Sequence, residues 1–391
     1  MEEATWTTES GRNILVRILL ILEMTMLALL LPTMNSSPSD FVPDDQLASS
    51  EFADIPDPEF NSRLNRMVWQ DREGNLWLAS LDPISGEIIP SDGKALLLST
   101  KLAPISSTCN GPEWVYGSII PTVVYSLAPT NVSPISVAVS TYSGRWKETL
   151  ESRAAWRPMG SSADSNDRKI LFAKYNPTGN LIAWKRVVDD VEQSIKLSTT
   201  FARWAQDGGD FFIALHTIEE VQQVVAVHAT DGSLIAITLD SENKTTAIAW
   251  RAQEYPEDWT IAALTELNTI AIFSFFNQKR VHEFTIPTAK ATLLSLEVFV
   301  HAGNSYLVTS AVDGTEPGIC GAMPLGTSEI WIAGINPNAP FFRRVDSPAR
   351  STLKTEPEIY TRGPETLIYF NELINDKYTV RKARTGFFNG N

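Results

Sequence analysis

The stretch Arg66–Leu81, RMVWQDREGNLWLASL, contains two mostly apolar runs on either side of a polar segment with one glycine. Short runs rich in Val, Leu and Trp that flank a Gly-containing turn are typical of a β-hairpin. The glycine permits the positive φ that a tight hairpin turn needs. This stretch therefore predicts two antiparallel strands joined by a short turn.

Six further stretches repeat the hairpin pattern. Tighter versions span residues 169–187, 223–239 and 269–286, and looser ones span 122–141, 305–323 and 366–383. A strand-like segment with an aromatic or apolar residue beside a polar one precedes six of the seven hairpins, with marked positions Trp114, Trp156, Trp204, Trp259, Val298 and Ile359. One inner strand followed by a hairpin, repeated roughly every 40–55 residues, is the pattern of four-stranded propeller blades.

We therefore predict an all-β protein with a single β-propeller. Seven blades is the best count, and six would result if the first hairpin completed the last blade. A pair of β-sandwiches or an irregular β protein is the competing interpretation. The predicted organisation is a hydrophobic leader over residues 1–34, an acidic arm rich in Pro and Ser over 35–62, and the propeller over 63–391.

The leader contains an apolar run from Ile14 to Met34 that Arg17 and Glu23 interrupt. Early arginines and small polar residues after the run favour a secretory signal peptide. An uncleaved signal-anchor and a soluble N-terminal helix are the alternatives. We expect a protein of the secretory pathway, secreted or held on a membrane by this segment alone.

Two other features agree with a secretory route. Sequons predict N-glycosylation at Asn35, Asn131 and Asn243, of which Asn243 lies in the most turn-like sequence. The two cysteines, Cys109 and Cys320, could form a disulfide, or both could be buried free thiols.

Charge and motifs exclude several classes of function. A net charge of −14 disfavours nucleic acids and anionic lipid surfaces, because both require a basic face on the protein. The sequence has no nucleophile elbow, no zinc-protease motif and no P-loop. His216 and His228 flank one hairpin but lack further ligands at metal spacing, so we predict neither a metal nor a cofactor.

Inner strands line the central channel of a propeller, so side chains at their starts are the first candidates for a site. When the six inner-strand segments are superposed on one another, Glu113, Asp258, Glu297 and Glu358 are predicted to begin inner strands. We expect a pocket for a polycyclic or sugar ligand, with these substrate-binding residues: Glu113, Trp114, Trp156, Trp204, Trp259, Glu358 and Tyr360. The competing interpretation is that the tryptophans pack between blades. Arg157 and Arg203 would need acidic partners, which Glu113 or Glu358 could provide.

The first hairpin resembles the blades of the fungal fucose-binding lectins through Arg66, Trp69, Gln70 and Gly74. In those lectins each sugar site uses an arginine, a glutamate on the next strand and an aromatic residue. The other hairpins lack this arginine, and only Arg280 with Glu283 matches the pair. The resemblance implies a propeller fold more than a repeated sugar site.

The whole layout of leader, acidic arm and one divergent propeller, with stretches such as NGPEWVYGS (Asn110–Ser118), is similar to the fungal hetero-Diels–Alderases of tropolonic sesquiterpenoid biosynthesis. This resemblance implies a pericyclase that joins a tropolone-derived o-quinone methide to a humulene-type terpene. Such a reaction needs an apolar cavity that positions both partners and a hydrogen-bond donor on the carbonyl, without a cofactor. The candidate donors are Arg157, Arg203, His216 or an indole N–H. The alternatives are a lectin-like propeller and a hydrolase or lactonase that uses the channel acids.

Overall fold

The chain folds into a seven-bladed β-propeller of antiparallel sheets. The structure is a computed structural model, and it describes residues 57–389 apart from 62, 90–94, 106–108, 116–119, 131–135, 153–155, 162–169, 177–179, 187–190, 199–200, 207, 267 and 319–320. Within this part of the chain no helix is long and apolar enough to cross a membrane. The predicted leader and most of the predicted arm lie outside the described residues.

Each blade uses consecutive strands, with the first strand of each sheet innermost. Blade 1 contains β1 (Glu59–Asn61), β2 (Arg66–Gln70), β3 (Leu76–Leu81), β4 (Ile88–Ile89) and β5 (Leu96–Ser99), the last two both pairing with β3. Blade 2 contains β6 (Glu113–Trp114), β7 (Thr122–Leu127), β8 (Ser136–Tyr142) and β9 (Trp146–Ser152). Blade 3 contains β10 (Arg157–Ser161), β11 (Ile170–Tyr175), β12 (Leu181–Arg186) and β13 (Gln193–Ser194).

The second half of the ring follows the same plan. Blade 4 contains β14 (Ala202–Trp204), β15 (Phe211–Ile218), β16 (Val221–His228) and β17 (Leu234–Ala236). Blade 5 contains β18 (Lys244–Trp250), β19 (Thr260–Thr265), β20 (Thr269–Ser274) and β21 (Lys279–Thr285). Blade 6 contains β22 (Thr292–His301), β23 (Asn304–Gly318), β24 (Gly321–Gly334) and β25 (Phe341–Arg344). Blade 7 contains β26 (Leu353–Tyr360), β27 (Glu365–Ile374) and β28 (Lys377–Phe388).

The predicted propeller and its seven blades are confirmed, and the six-blade alternative is wrong. The first hairpin does not complete the last blade, because β1 gives it an inner strand of its own. That strand lies within the segment 35–62 that was predicted to be an arm. The last residues of the predicted arm therefore belong to the propeller.

The predicted strand positions in blade 5 are wrong by one strand. Its inner strand is β18, which ends at Trp250, whereas Asp258 and Trp259 lie just before the second strand. The predicted hairpin 269–286 is accordingly the outer pair, and 223–239 is the outer pair of blade 4. Trp250 is buried like the inner-strand tryptophans of other blades. Asp258-Trp259 has the same acid-tryptophan pattern as Glu113-Trp114, but it does not lie on an inner strand.

The seam between blades 1 and 7 closes the ring through side chains. No strand ladder joins the two sheets in the described part of the chain. Instead, Phe60 stacks on Tyr369, with ring centroids 4.1 Å apart. The Tyr369 hydroxyl donates to the Gly86 carbonyl at 2.5 Å, and the Tyr360 hydroxyl donates to Asn65 Oδ1 at 2.7 Å.

We expect Tyr369→Phe to lower the free energy of unfolding by about 1–2 kcal/mol, because the Gly86 carbonyl loses its hydrogen bond at a buried site. Urea denaturation measures the change. Tyr142→Phe is the matched control, since Tyr142 is 42% exposed, and it should leave the stability unchanged. Equal stability of the wild type and Tyr369→Phe would show that the hydroxyl does not hold the seam.

Candidate functional site

Three inner strands carry a proline followed by a glutamate. The pairs are Pro58-Glu59 at the start of β1, Pro112-Glu113 at the start of β6 and Pro357-Glu358 at a bulge within β26. Proline is tolerated at the start of a strand or at a bulge, where no neighbour needs its missing N–H. The residue after each glutamate is apolar and faces a blade: Phe60 and Trp114 are fully or almost fully buried. Alternation along the strand therefore turns the glutamates toward the channel.

Two β-bulges bring further acids to the same place. The pairing of β22 with β23 shifts between Leu294 and Glu297, and the pairing of β26 with β27 shifts between Thr355 and Glu358. Within each bulge one non-glycine residue has a positive φ, 58° at Ser295 and 45° at Glu356. A bulge re-aims side chains, and such backbone strain is concentrated at functional sites. The Ser295 hydroxyl donates to Glu356 Oε2 at 3.2 Å, so the two bulges are in contact.

Arg203 reaches across the channel. It lies on β14 of blade 4 and forms an ion pair with Glu297 on β22 of blade 6. Its Nη1 also donates to the Leu296 carbonyl at 2.8 Å. Blade 5 separates these two blades along the ring, so the ion pair joins two blades that are not neighbours. The Arg203 side chain is 28% exposed, which leaves donor surface facing the channel.

Hydrogen bonds join blades 1, 2 and 3 at the starts of their inner strands. The Gly111 N–H donates to Asp57 Oδ2 at 2.7 Å. The amide of Asn110 donates to Glu113 Oε1 at 3.0 Å and to the Pro158 carbonyl at 2.7 Å. These contacts fix Asp57 and Glu113 at the start of their strands.

We call the resulting group the channel cluster. It contains one cation and six carboxyl groups from blades 1, 2, 4, 6 and 7: Arg203 with Asp57, Glu59, Glu113, Glu297, Glu356 and Glu358. All seven side chains lie deep in protein and keep only partial contact with solvent. One guanidinium does not neutralise six ionised carboxylates. Several of these groups must therefore be protonated near neutral pH.

Burial is the main cause of raised pKa values in the channel cluster. It raises the pKa of Glu113 to about 8, with repulsion from Asp57 adding to the effect. It raises the pKa of Glu356 to about 7, again with help from Asp57. The pKa values of Glu59 and Glu358 also lie well above their usual range, because burial and neighbouring acids both oppose ionisation. Burial lowers the pKa of Arg203, but Glu297 more than offsets this, so the guanidinium stays charged.

The carboxylate oxygens of Asp57, Glu59 and Glu358 lie within 4.8 Å of one another. These oxygens are the ones in the described chain that could approach a single hard cation, which prefers carboxylate ligands. A bound cation would need these groups ionised, whereas burial and mutual repulsion raise the pKa values of Glu59 and Glu358 when no cation is bound. In that state the carboxyl groups share protons and can donate hydrogen bonds.

We expect the free energy of unfolding to fall as the pH rises from about 5 to about 9. The folded-state pKa values of Glu113 and Glu356 lie above the ordinary value of 4.5, so the stability they contribute is complete below that pH and is lost as the pH passes about 7 and 8. Chemical denaturation over this range measures the effect. Constant or rising stability would contradict a buried, protonated cluster.

The free energy of unfolding should also fall at low pH. Hydrogen bonds from Lys290 and Thr327 lower the pKa of Asp313 to about 2, so its contribution to stability is lost as the pH falls toward that value. Asp240 and Asp346 behave in the same way, since Lys and Arg partners outweigh the effect of burial and hold their pKa values down. The stability maximum is therefore expected on the acidic side of neutrality.

The predicted aromatic residues do not line a pocket. Trp114, Trp156, Trp204 and Tyr360 are at most 3% exposed, and Trp259 is 8% exposed. Each packs in an apolar cluster between adjacent blades. The surroundings of the four tryptophans agree with the competing interpretation, in which they pack between blades. Of the predicted substrate-binding residues, Glu113 and Glu358 belong to the channel cluster.

The three predicted catalytic residues lie in different places. Arg203 is in the channel cluster. Arg157 lies at the start of β10, where its guanidinium is 5.2 Å from the centre of the Tyr175 ring, and burial lowers its pKa. His216 lies on β15, where its Nδ1 accepts the Ser198 N–H at 3.2 Å, and burial lowers its pKa. His216 is three residues along the strand from the partner of Arg203, a distance of roughly 10 Å.

Arg280 and Glu283, the pair that resembles a lectin sugar site, form contacts within the protein. Arg280 forms ion pairs with Glu283, with Asp240 at 2.5 Å and with Glu242 at 2.7 Å. Trp69 is 7% exposed, and the Gln70 amide donates to the Ala103 carbonyl at 2.9 Å. These groups stabilise the fold and leave little for a sugar.

The predicted modification sites are only partly within the described chain. Asn35, Asn131 and Cys320 lie outside the described residues. The Asn243 amide accepts the Gln222 N–H at 2.8 Å and donates to Glu266 at 3.1 Å, so a glycan on it would replace the second contact. Cys109 is disulfide-bonded, and its pairing with Cys320 stays a prediction.

Three members of the channel cluster were not predicted from the sequence: Asp57, Glu59 and Glu356. A signal for Glu59 exists, because DPEF (Asp57–Phe60) repeats the Pro-Glu-apolar pattern of GPEW (Gly111–Trp114) and EPEI (Glu356–Ile359). Assigning residues 35–62 to an arm hid this third copy. The bulge that presents Glu356 has no such local signal.

No protein-family model and no curated protein matches this chain.

Proposed function

We propose that the protein is a cofactor-independent pericyclase that uses the channel cluster to bind and activate a carbonyl substrate. The reaction is an intermolecular hetero-Diels–Alder cycloaddition between a tropolone-derived o-quinone methide and a humulene-type sesquiterpene. The observation that carries the proposal is the group of buried carboxyl groups around Arg203. Neutral carboxyl groups and a guanidinium are preorganised hydrogen-bond donors in a site of low dielectric.

The donors act on the carbonyl oxygen of the quinone methide. A hydrogen bond to this oxygen lowers the energy of the orbital that accepts electrons from the alkene. Glu113, with a pKa of about 8, holds a proton to donate at neutral pH, and Arg203 keeps its charge under the same conditions. One well-placed donor contributes roughly 3 kcal/mol to such a transition state.

Holding the two partners together supplies the rest of the rate enhancement. Positioning two reactants at near-attack distance can contribute roughly 7–11 kcal/mol. No bond to the protein forms, and the electrons that make the two new bonds come from the substrates. The leader and the sequons would place this chemistry in the secretory pathway.

The test is incubation of the purified protein with humulene and an o-quinone methide released from a tropolone precursor. Mass spectrometry identifies the adduct, and chiral chromatography measures its enantiomeric excess. The uncatalysed reaction gives a racemate, so an excess of one enantiomer, together with a higher rate, is the expected result. A racemic product formed at the background rate would overturn the proposal.

A second candidate is acid–base hydrolysis, as in a lactonase or glycosidase. Glu297 is ion-paired with Arg203, whereas Glu113 carries a raised pKa and an amide contact. Two carboxyl groups in different settings are a common feature of acid–base pairs. A hydrolase would lose its activity in Glu113→Gln, because the amide cannot transfer a proton, whereas a pericyclase would keep most of it.

A further inference from the structure

Blade 6 contains a cavity of about 290 Å³ that is separate from the channel cluster. Its walls come from the start of β23, the end of β24 and the loop that leads into β25, and they include Asn304, Tyr306, Asn336, Ala339, Pro340 and Phe341. None of the residues that line it carries a formal charge. Its volume is near the low end of small-molecule sites, which suits a ligand of one ring.

One wall of the cavity is aromatic and held rigidly. Tyr306 and Phe341 lie with ring centroids 5.5 Å apart, and Gly334 pairs with both residues across the sheet. Phe387 supports this wall, with its ring centroid 4.4 Å from Tyr306 and 5.4 Å from Phe341. A rigid aromatic face of this kind packs well against the C–H face of a sugar ring.

The two amide side chains of the cavity are each fixed by one hydrogen bond and keep a further donor or acceptor. The Asn336 Oδ1 accepts the Asn338 N–H at 2.9 Å, which fixes the amide and leaves its Nδ2 as a donor. The Asn304 Nδ2 donates to the Ala302 carbonyl at 3.2 Å, which leaves its Oδ1 as an acceptor. No group in the described chain hydrogen-bonds to the Tyr306 hydroxyl, and its pKa is raised by burial, so it stays protonated.

We propose that this cavity binds one ring of a neutral monosaccharide. A donor, an acceptor and a hydroxyl beside an aromatic wall match the hydroxyl groups and the apolar face of a pyranose. The lining residues are uncharged, and the two charged groups behind them are of opposite sign and already in contact with the wall, Glu254 with Ser305 and Arg343 with Phe341, so the lining favours a neutral ligand. The site uses neither Arg280 nor Glu283, and it does not depend on the proposed cycloaddition.

Calorimetric titration with the methyl glycosides of glucose, mannose, galactose and fucose tests the proposal, with phenol as a probe for simple aromatic binding. We expect at least one glycoside to bind with a Kd of roughly 1 mM, which is typical of weak single-ring contacts. No binding of any glycoside up to tens of millimolar overturns the proposal. Binding of phenol without binding of a glycoside also overturns it.

Three variants test whether the glycoside binds in the blade 6 cavity. Ala339→Phe fills the cavity from an exposed loop, and Asn336→Ala removes the amide donor, so each should weaken the glycoside about tenfold or more. Asn338→Ala is the matched control, because its side chain is exposed and its N–H stays in place. Unchanged affinity in both cavity variants, at an unchanged thermal midpoint, would refute the site. If Ala339→Phe fails to fold, Tyr306→Phe replaces it, and the same loss is expected.

Discussion

Arg203→Met is expected to lower the free energy of unfolding by about 3–5 kcal/mol at pH 8, because it removes the charge that faces six buried carboxyl groups. The ion pair of Arg203 with Glu297 is 28% and 16% exposed at its two side chains, so solvent screens it only in part. At pH 5 most of the cluster is protonated in either variant. The loss should then be much smaller. Urea denaturation at the two pH values measures the difference.

Arg280→Met is the matched control for this experiment. Arg280 also contacts three carboxylates, but these are 26%, 29% and 54% exposed, all more than Glu297, and the network lies at the outer edge of blade 5. Solvent screens such pairs more strongly, so a smaller loss that does not depend on pH between 5 and 8 is expected. A similar loss in both variants, or a loss for Arg203→Met that does not change with pH, would contradict the electrostatic account of the channel cluster.

Glu113→Ala is expected to lower the rate of the proposed cycloaddition by about 10²–10³-fold, the usual cost of removing one preorganised donor. Glu113→Gln keeps an N–H in the same place and should retain most of the rate. The wild-type rate should decline above pH 8, where Glu113 loses the proton it donates, whereas the rate of Glu113→Gln should not. Single-turnover rates and the enantiomeric excess of the product measure these effects.

The pattern across the Glu113 variants separates the candidate functions. Equal rates in the wild type and both variants would remove Glu113 from the chemistry. In a parallel assay with a lactone or glycoside, hydrolysis by the wild type that is lost in both Glu113→Gln and Glu113→Ala would indicate proton transfer and hence the hydrolase. Arg280→Met should have the wild-type rate and product in every assay.

The hairpin pattern predicted the architecture because each blade buries its own apolar runs within about 40–55 residues of sequence. The strand positions in blade 5 were wrong because Trp250 and Trp259 both follow strand-like segments, and only packing decides between them. Local pattern therefore predicts that a blade exists better than it predicts which strand is innermost.

The channel cluster was only partly predictable for a different reason. Glu113 and Glu358 could be found because each belongs to a Pro-Glu pair on an inner strand. The ion pair of Arg203 with Glu297 joins residues 94 positions apart, so no local pattern reveals it. Glu356 faces the cluster because a bulge gives it a positive φ, a conformation that a glutamate does not favour by itself.

The side-chain seam of the ring has a consequence for synthesis of the protein. Glu59 lies on the first inner strand, and Glu356 and Glu358 lie on the last, so the two ends of the propeller sequence meet in the channel cluster. As the N-terminal part emerges first from the ribosome, blades 1 to 6 can form before the last strands exist. A nascent or prematurely terminated chain then has most of its fold but lacks Glu356 and Glu358 of the channel cluster. The site is completed only when the last blade closes the ring.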